Sequence, residues 1–220
     1  MILPVASLLP PALIESCRQL ASDDSLFVDG RSTAGWHAKR LKHNLQARPS
    51  APVATLMKQL MATISGHELI QAAARPKHII RLLLSRYDEG MHYGNHVDDA
   101  IMDGQRTDLS FTIFLSDPDS YDGGELVIDE PAAERPFKLA AGALLLYPSN
   151  TLHQVMPVTR GQRLVLVGWI RSLIREPAQR ELLFDLERSI AQVRSAGDQA
   201  DTLALLLKTR SNLLRMWADD

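Results

Sequence analysis

The sequence predicts a mainly β protein with flanking helices. Short runs rich in β-branched and aromatic residues follow one another in the middle of the chain, and turn-forming sequences rather than helical segments separate them. The predicted strands are residues 78–87, 92–97, 108–115, 125–129, 137–139, 143–147, 153–158 and 162–171. Many short strands without intervening helices are typical of a sandwich, a jelly roll or a barrel, and they argue against a βαβ fold.

Helical patterns are confined to the two ends of the chain. Apolar residues recur every three to four positions in residues 10–21 and 50–65, which predicts two helices before the strands. Residues 177–217 show the same rhythm in two stretches, and Gly197 and Asp198 mark the break between them. We expect this helical pair to pack on the β core, with a homo-oligomer interface as the alternative. The predicted parts, an N-terminal support, a core and a C-terminal helical extension, are residues 1–75, 76–172 and 173–220.

The composition is that of a soluble globular protein of ordinary domain size. The 220 residues carry a formal charge of -2, which argues against nucleic acid as a partner, although residues 31–48 form a local basic stretch. The single cysteine, Cys17, cannot close an intrachain disulfide and is expected in a helix core. No apolar run approaches the roughly 18 residues of a membrane-spanning helix. We therefore expect a cytoplasmic protein without membrane contact.

One histidine motif indicates metal chemistry. His96 and Asp98 form a His-x-Asp sequence in a predicted strand, where side chains two positions apart point to the same face. His153 opens a later predicted strand and is the candidate for a third ligand. Two histidines and one carboxylate on one face of a metal are the ligand set of non-haem Fe(II) oxygenases. This pattern predicts an iron site with open positions for a cosubstrate and dioxygen.

Arg163 follows His153 on the next predicted strand. If residues 159–161 form a hairpin loop, His153 lies opposite about Val167, and Arg163 shares the inward face of Val167. The two inward side chains would then be separated by roughly 13 Å of strand. A buried guanidinium is costly unless it binds an anion, and its fork suits a carboxylate. The pattern favours a ligand that chelates metal at one end and carries a carboxylate at the other, such as 2-oxoglutarate.

The segment around the His-x-Asp pair carries a family pattern. Residues 87–98 read YDEGMHYGNHVD, and His153 and Arg163 follow downstream. In these motifs the chain resembles the Fe(II)/2-oxoglutarate dioxygenases of the prolyl-4-hydroxylase type, and more closely the bacterial PKHD-type hydroxylases. The closer resemblance rests on RTDLS at 106–110, FLSDP at 114–118, SYDGGEL at 120–126, LYPS at 146–149, K-x-N-x-Q at 42–46 and the C-terminal helices. It extends over essentially the whole chain.

The resemblance implies a jelly-roll core, that is, a double-stranded β-helix, and a hydroxylase that converts 2-oxoglutarate and O2 to succinate and CO2. It implies that Fe(II) is bound by His96, Asp98 and His153. It further implies that Arg163 binds the distal carboxylate of 2-oxoglutarate and that Tyr87 helps to hold this cosubstrate. L-ascorbate is the implied further cofactor, and some relatives are associated with iron uptake. No residue identifies the hydroxylated substrate.

One position departs from the family pattern. Phe114 stands where some prolyl-hydroxylase relatives place a second tyrosine near the distal carboxylate. Ser110 is the residue expected to assist Arg163 instead. Trp169 is expected in the barrel core.

The N-terminal polar residues are a candidate border of the substrate entrance. This group comprises Trp36, Lys42, Asn44 and Gln46. A solvated basic surface is the alternative interpretation.

Three other functions would use part of the same constellation. A Zn(II) hydrolase or cupin-like enzyme would use the triad alone and would leave Arg163 unexplained. A nucleic-acid demethylase would carry a second arginine at a different spacing, whereas the nearest here is Arg171. A sensor that binds iron or 2-oxoglutarate without turnover would contain the same ligands, and only succinate release distinguishes it.

Overall fold

The computed structural model describes residues 1–33, 38–197 and 199–219. The predicted entrance residue Trp36 and the predicted helix break at Asp198 lie outside these ranges. Within them the helices are α1 (Pro11–Ala21), α2 (Ala51–Gly66), α3 (Glu68–Ala74), α4 (Pro177–Ala196) and α5 (Ala200–Trp217). The strands are β1 (Leu3–Val5), β2 (Phe27–Asp29), β3 (Lys42–His43), β4 (Leu45–Ala47), β5 (Pro76–Tyr87), β6 (His92–His96), β7 (Ile101–Met102), β8 (Gln105–Arg106), β9 (Leu109–Phe114), β10 (Tyr121–Gly123), β11 (Leu126–Asp129), β12 (Glu134–Phe137), β13 (Leu144–Pro148), β14 (His153–Val155), β15 (Val158–Gly161) and β16 (Arg163–Ser172).

Two antiparallel sheets face each other and form the jelly roll. The large sheet has the strand order β1-β13-β9-β16-β5-β4-β2, and the small sheet has the order β12-β11-β14-β6-β3. Consecutive core strands alternate between the sheets, because β5, β9, β13 and β16 belong to the large sheet and β6, β11 and β14 to the small one. The predicted mainly β class with flanking helices and a jelly-roll core is confirmed.

The large sheet has two buried faces with separate cores. One apolar cluster joins one face of the sheet to the helices and includes Leu84, Ile113, Leu166 and Ile70. A second cluster fills the space between the two sheets and includes Val165. Since side chains alternate along a strand, β16 sends Leu164 and Leu166 toward the helices and its intervening residues toward the small sheet.

The register predicted for the segment after His153 is wrong. Thr159 to Gly161 is not a hairpin loop but part of β15, which pairs with β10. His153 therefore does not face Val167 across a hairpin, since β14 and β16 lie in different sheets. The structure instead pairs His153 with His96 and Arg163 with Tyr87. Because β15 carries the chain from the small sheet to the large one, the side chains of His153 and Arg163 still face the space between the sheets.

The C-terminal helices follow the predicted boundaries and pack mainly through α4. Its residues Leu183, Phe184 and Ile190 are buried, and it contacts α3, a helix that the sequence analysis did not predict. Helix α5 packs on α4, and Asp219, two residues beyond the end of α5, forms a 2.7 Å ion pair with Arg106. No helix in the described ranges is long and apolar enough to cross a membrane.

Candidate metal centre

The three predicted metal ligands converge between the two sheets. His96 at the end of β6 pairs directly with His153 at the start of β14, so both imidazoles leave the sheet on the same face. Asp98 lies two residues beyond the end of β6. The sequence predicts it within the strand, and that detail is wrong. Its carboxylate oxygens are each 3.9 Å from an imidazole Nε2, one of His96 and the other of His153. One ligand atom from each residue lies within 4.8 Å of the others, a spacing that a single metal ion can bridge.

Backbone carbonyls orient both imidazole rings. Nδ1 of His96 lies 2.8 Å from the carbonyl oxygen of Gly94, and Nδ1 of His153 lies 2.9 Å from that of Thr151. An Nδ1–H that donates to a carbonyl fixes the tautomer and leaves the Nε2 lone pair for a metal. Burial, followed by the neighbouring His153, lowers the pKa of His96 to about 4, so this ring is neutral at pH 7.

Ser110 holds the aspartate and is itself in contact with Ser149. The Ser110 hydroxyl donates to a carboxylate oxygen of Asp98, and a 2.9 Å hydrogen bond joins Ser110 to Ser149. The expectation that Ser110 assists Arg163 is therefore wrong, because Ser110 lies at the metal end of the site. Sequence reasoning missed this role since Ser110 lies on β9, a strand of the opposite sheet.

Arg163 is the largest fully buried side chain in the described residues, with 1% of its surface exposed. Its guanidinium carbon lies 4.9 Å from the ring centre of Tyr87 and 5.8 Å from that of Phe114. Its Nε and Nη1 atoms make no hydrogen bond within the described part of the chain. Burial raises the pKa of the Tyr87 hydroxyl, so this group stays protonated and can donate. Rings on two sides and the Nε–H and Nη1–H donors suit Arg163 to the binding of an anion.

One cavity joins the metal ligands to Arg163. Its wall includes the three ligands, Arg163 and Tyr87, and also Lys42, Asn44, Gln46, Tyr93, Tyr147 and Trp169. Trp169 is half-buried and contributes to this wall, so its assignment to the barrel core is wrong. Burial lowers the pKa of Lys42 to about 8 against the opposing charges of Asp98 and Asp29.

Two aromatic neighbours of the ligands were missed from sequence. The Tyr93 ring stacks on the His96 ring with centroids 3.6 Å apart, and the Tyr147 ring lies edge-on to His153 at 5.1 Å. Burial raises the pKa of both phenols. A signal for Tyr93 was present, since it occupies the histidine motif itself, three positions before His96.

The residues present fit a metal and a bidentate anionic ligand. Two imidazoles and one carboxylate on one face form the facial triad used by non-haem iron enzymes and leave the opposite face open. The unpaired N–H groups of Arg163 in the same cavity suit a second, distal carboxylate. Together they fit Fe(II) and a 2-oxo dicarboxylic acid.

Comparison with known sequences gives two matches along the chain. Residues 82–171 match the 2OG-Fe(II) oxygenase superfamily, and residues 178–219 match the PKHD-type hydroxylase C-terminal domain. A PKHD-type hydroxylase of Maricaulis maris is 47% identical over 220 residues, which cover 100% of both chains.

Comparison with solved structures supports the same fold. A prolyl-4-hydroxylase of Pseudomonas putida aligns with a TM-score of 0.53 and 23% identity over 78% of this chain and 92% of that one. The non-heme alpha ketoglutarate dependent epimerase SnoN aligns with a TM-score of 0.57 and 13% identity over 79% of this chain and 77% of its own. At these identities the likeness concerns the fold alone, and one fold carries different reactions.

Proposed function

The chain belongs to the PKHD-type hydroxylases of the 2OG-Fe(II) oxygenase superfamily, and on that premise we propose which residues perform the reaction. His96, Asp98 and His153 hold Fe(II), Arg163 binds the distal carboxylate of 2-oxoglutarate, and Tyr87 helps to hold this cosubstrate. The observation that carries the proposal is one cavity with a convergent two-histidine, one-carboxylate face and a buried guanidinium whose Nε and Nη1 make no hydrogen bond to a described residue.

Each of these residues has a defined task. His96 and His153 present Nε2 lone pairs, because their Nδ1 atoms are engaged with backbone carbonyls. Ser110 keeps the Asp98 carboxylate in a single orientation, and Arg163 fixes the cosubstrate at its far end. Fe(II) with bound 2-oxoglutarate supplies the activation of O2 and the hydroxylation, with formation of succinate and CO2. The rings of Tyr87 and Tyr147 line the cavity and would limit the access of water to the reacting groups.

Several finer assignments belong to the same proposal. L-ascorbate would maintain the iron as Fe(II), the primary substrate is unidentified, and a link to iron uptake is offered as a hypothesis. We also propose a cytoplasmic location and self-association through the C-terminal helices. The three-part division at residues 1–75, 76–172 and 173–220 is supported by the separate family matches to residues 82–171 and 178–219.

An anaerobic spectrum tests the assignment of ligands. Wild-type protein mixed with Fe(II) and 2-oxoglutarate should show a weak visible charge-transfer band that requires both additions. Asp98→Ala should lose the band, because a missing ligand removes the metal, and succinate release in air should fall by roughly 100-fold or more. Arg163→Met should keep Fe(II) binding and lose affinity for 2-oxoglutarate.

His43→Ala is the matched control, since His43 is exposed and lies on the strand that borders the cavity. It should retain the band and succinate release. Wild-type protein that binds Fe(II) without the band, or an unchanged band in Asp98→Ala, would contradict the ligand assignment. A band without succinate release on any candidate substrate would favour the sensor, and hydrolysis with Zn(II) would favour the cupin-like enzyme.

A further inference from the structure

Tyr121 begins strand β10 and lies beside Arg163, the residue at the anion end of the cavity. Strand β10 pairs with β15 in the register Tyr121↔Gly161, and Arg163 follows Gly161 by two residues. Tyr121 and Arg163 are each only 1% exposed. The fold therefore removes a phenol and a guanidinium from solvent at neighbouring positions.

Gly124 lets the two side chains approach each other. A Cβ at position 124 would lie 3.0 Å from Cδ of Arg163 and 3.2 Å from Cε2 of Tyr121. The Arg163 stem and the Tyr121 ring thus converge on the space that a glycine leaves at this position. The φ angle of Gly124 is +65°, which also favours glycine.

The polar ends of the two side chains are complementary. The Tyr121 hydroxyl oxygen and the Nε and Nη1 atoms of Arg163 are buried, and none makes a hydrogen bond of ordinary length and angle to a described residue. Burial raises the pKa of the Tyr121 hydroxyl, while the charge of Arg163 and its hydrogen-bond contact with the phenol lower it in part. The phenol is therefore neutral at pH 7. A guanidinium offers only donors, so the phenol oxygen can face it only as an acceptor.

Two further contacts hold the Tyr121 ring in place. Nζ of Lys138 donates a 2.6 Å hydrogen bond to the Tyr121 carbonyl oxygen and lies 4.1 Å from the centre of the ring. Gly161 packs against the same residue, because a Cβ at position 161 would lie 3.1 Å from Cα and 3.3 Å from Cβ of Tyr121. These contacts restrict the ring and give its hydroxyl a defined place next to Arg163.

We propose that Tyr121 is a positioning residue for Arg163. Its hydroxyl accepts a hydrogen bond from the guanidinium in the complex with 2-oxoglutarate and holds the fork in the orientation that binds the distal carboxylate. The Phe114 ring also flanks the guanidinium but has no polar atom to do this. Arginine is a flexible side chain, and holding it in its binding orientation reduces the entropy that binding costs. This inference rests on the proposed function, because Tyr121 acts through the residue assigned to the cosubstrate.

Anaerobic titration with two ligands tests this role. Fe(II)-loaded protein is titrated with 2-oxoglutarate and with pyruvate, which has the same 2-oxo acid end but no second carboxylate. Tyr121→Phe removes the hydroxyl and keeps the ring. It should weaken binding of 2-oxoglutarate by about 10-fold, as for one lost hydrogen bond, and leave binding of pyruvate unchanged. Arg163→Met should weaken binding of 2-oxoglutarate more strongly and also leave that of pyruvate unchanged.

The double variant distinguishes a positioning residue from a separate contact to the ligand. If Tyr121 acts through Arg163, Tyr121→Phe should cause no further loss of 2-oxoglutarate affinity in the Arg163→Met background. His43→Ala is again the control and should bind both ligands as the wild type does. Thermal melting and Fe(II) affinity establish that Tyr121→Phe is folded, and Tyr121→Leu replaces it if it is not.

Three results would overturn the inference while the proposed function stood. The first is wild-type affinity of the Tyr121 variant for 2-oxoglutarate. The second is a similar loss for both ligands, which would assign the effect to the cavity as a whole. The third is an additional loss in the Arg163→Met background, which would make Tyr121 a separate contact. Absence of the band in wild-type protein, or wild-type 2-oxoglutarate affinity of Arg163→Met, would reject the proposed function itself.

Discussion

The two faces of the large sheet differ in kind, and β16 shows the difference within one strand. Toward the helices it presents Leu164, Leu166 and Ile170, all buried in an apolar cluster. Toward the small sheet it presents Arg163 and Trp169 at positions of the opposite parity, each with buried nitrogens that no described residue pairs. The helix side is an apolar core, whereas the cavity side holds polar groups that can bind a ligand.

This contrast indicates how the fold separates stability from chemistry. Burial of apolar surface against the helices stabilises the sheet, while unpaired polar atoms on the other face destabilise it. Alternation lets one strand serve both faces, since a substitution at one position leaves the next side chain on the opposite face. Substitutions on the two faces should therefore affect different quantities.

Leu166→Ala should produce the largest change in stability. Leu166 is completely buried in the helix-side cluster, and a Leu-to-Ala cavity in such a site costs about 2–5 kcal/mol. Chemical denaturation should show the loss in the free energy of unfolding, while 2-oxoglutarate affinity of the folded protein stays unchanged. A large loss of affinity in the folded variant would show that the two faces are coupled.

Acid should destabilise the folded protein through His96, a residue on the cavity side. The His96 pKa is lowered from 6.5 to about 4 in the folded protein, so unfolding takes up a proton below pH 6.5. The contribution of the neutral ring to the free energy of unfolding is complete above pH 6.5, decreases as the pH falls, and is lost below about pH 4. The total loss is about 1–3 kcal/mol. Denaturation of metal-free protein at pH 7 and pH 4.5 measures this loss. His96→Gln should be less acid-sensitive, and equal sensitivity would assign the effect to other groups.

Gly168→Ala tests the close packing of the helix side. A Cβ at Gly168 would lie 2.4 Å from Cζ and 2.8 Å from Cε1 of Phe111, its cross-strand neighbour. Overpacking of this kind costs about 1–3 kcal/mol. We expect a lowered melting temperature and an unchanged charge-transfer band. The double substitution Gly168→Ala with Phe111→Leu should recover part of the loss, and no recovery would exclude this clash as the cause.

The sequence was sufficient to predict most of the strands and several of the residues that the structure brings together in the cavity. Period-two alternation and turn residues placed most strands, and the motif around His96 indicated the metal ligands. Arg163 was assigned to the cavity correctly, although the hairpin register used to place it was wrong. The residues at 159–161 look like a turn, yet Gly161 pairs with Tyr121 in a strand.

What the sequence could not predict depends on contacts between distant segments. The Ser110 contact to Asp98 requires that β9 of one sheet face the loop after β6 of the other. The same holds for Trp169 and Asn44, because the hydrogen-bond partners available to their polar atoms depend on the distant segments that pack around them. Strand pairing across long separations is set by the global packing and leaves little trace in a single sequence.

Arg163→Met should change the stability of ligand-free protein least. The guanidinium is 1% exposed, and its contacts with the Tyr87 and Phe114 rings offset only part of its desolvation. Methionine fills much of the same volume without charge, so the free energy of unfolding should stay within about 1 kcal/mol of wild type or rise. With Fe(II) and 2-oxoglutarate at about 100 times the wild-type Kd, wild type should gain about 2.7 kcal/mol and the variant almost nothing. If the ligand-free variant is destabilised by more than about 2 kcal/mol, Arg163 contributes to the packing of the core. The cavity face of the sheet would then stabilise the fold in the same way as the helix face, and the proposed contrast between them would be wrong.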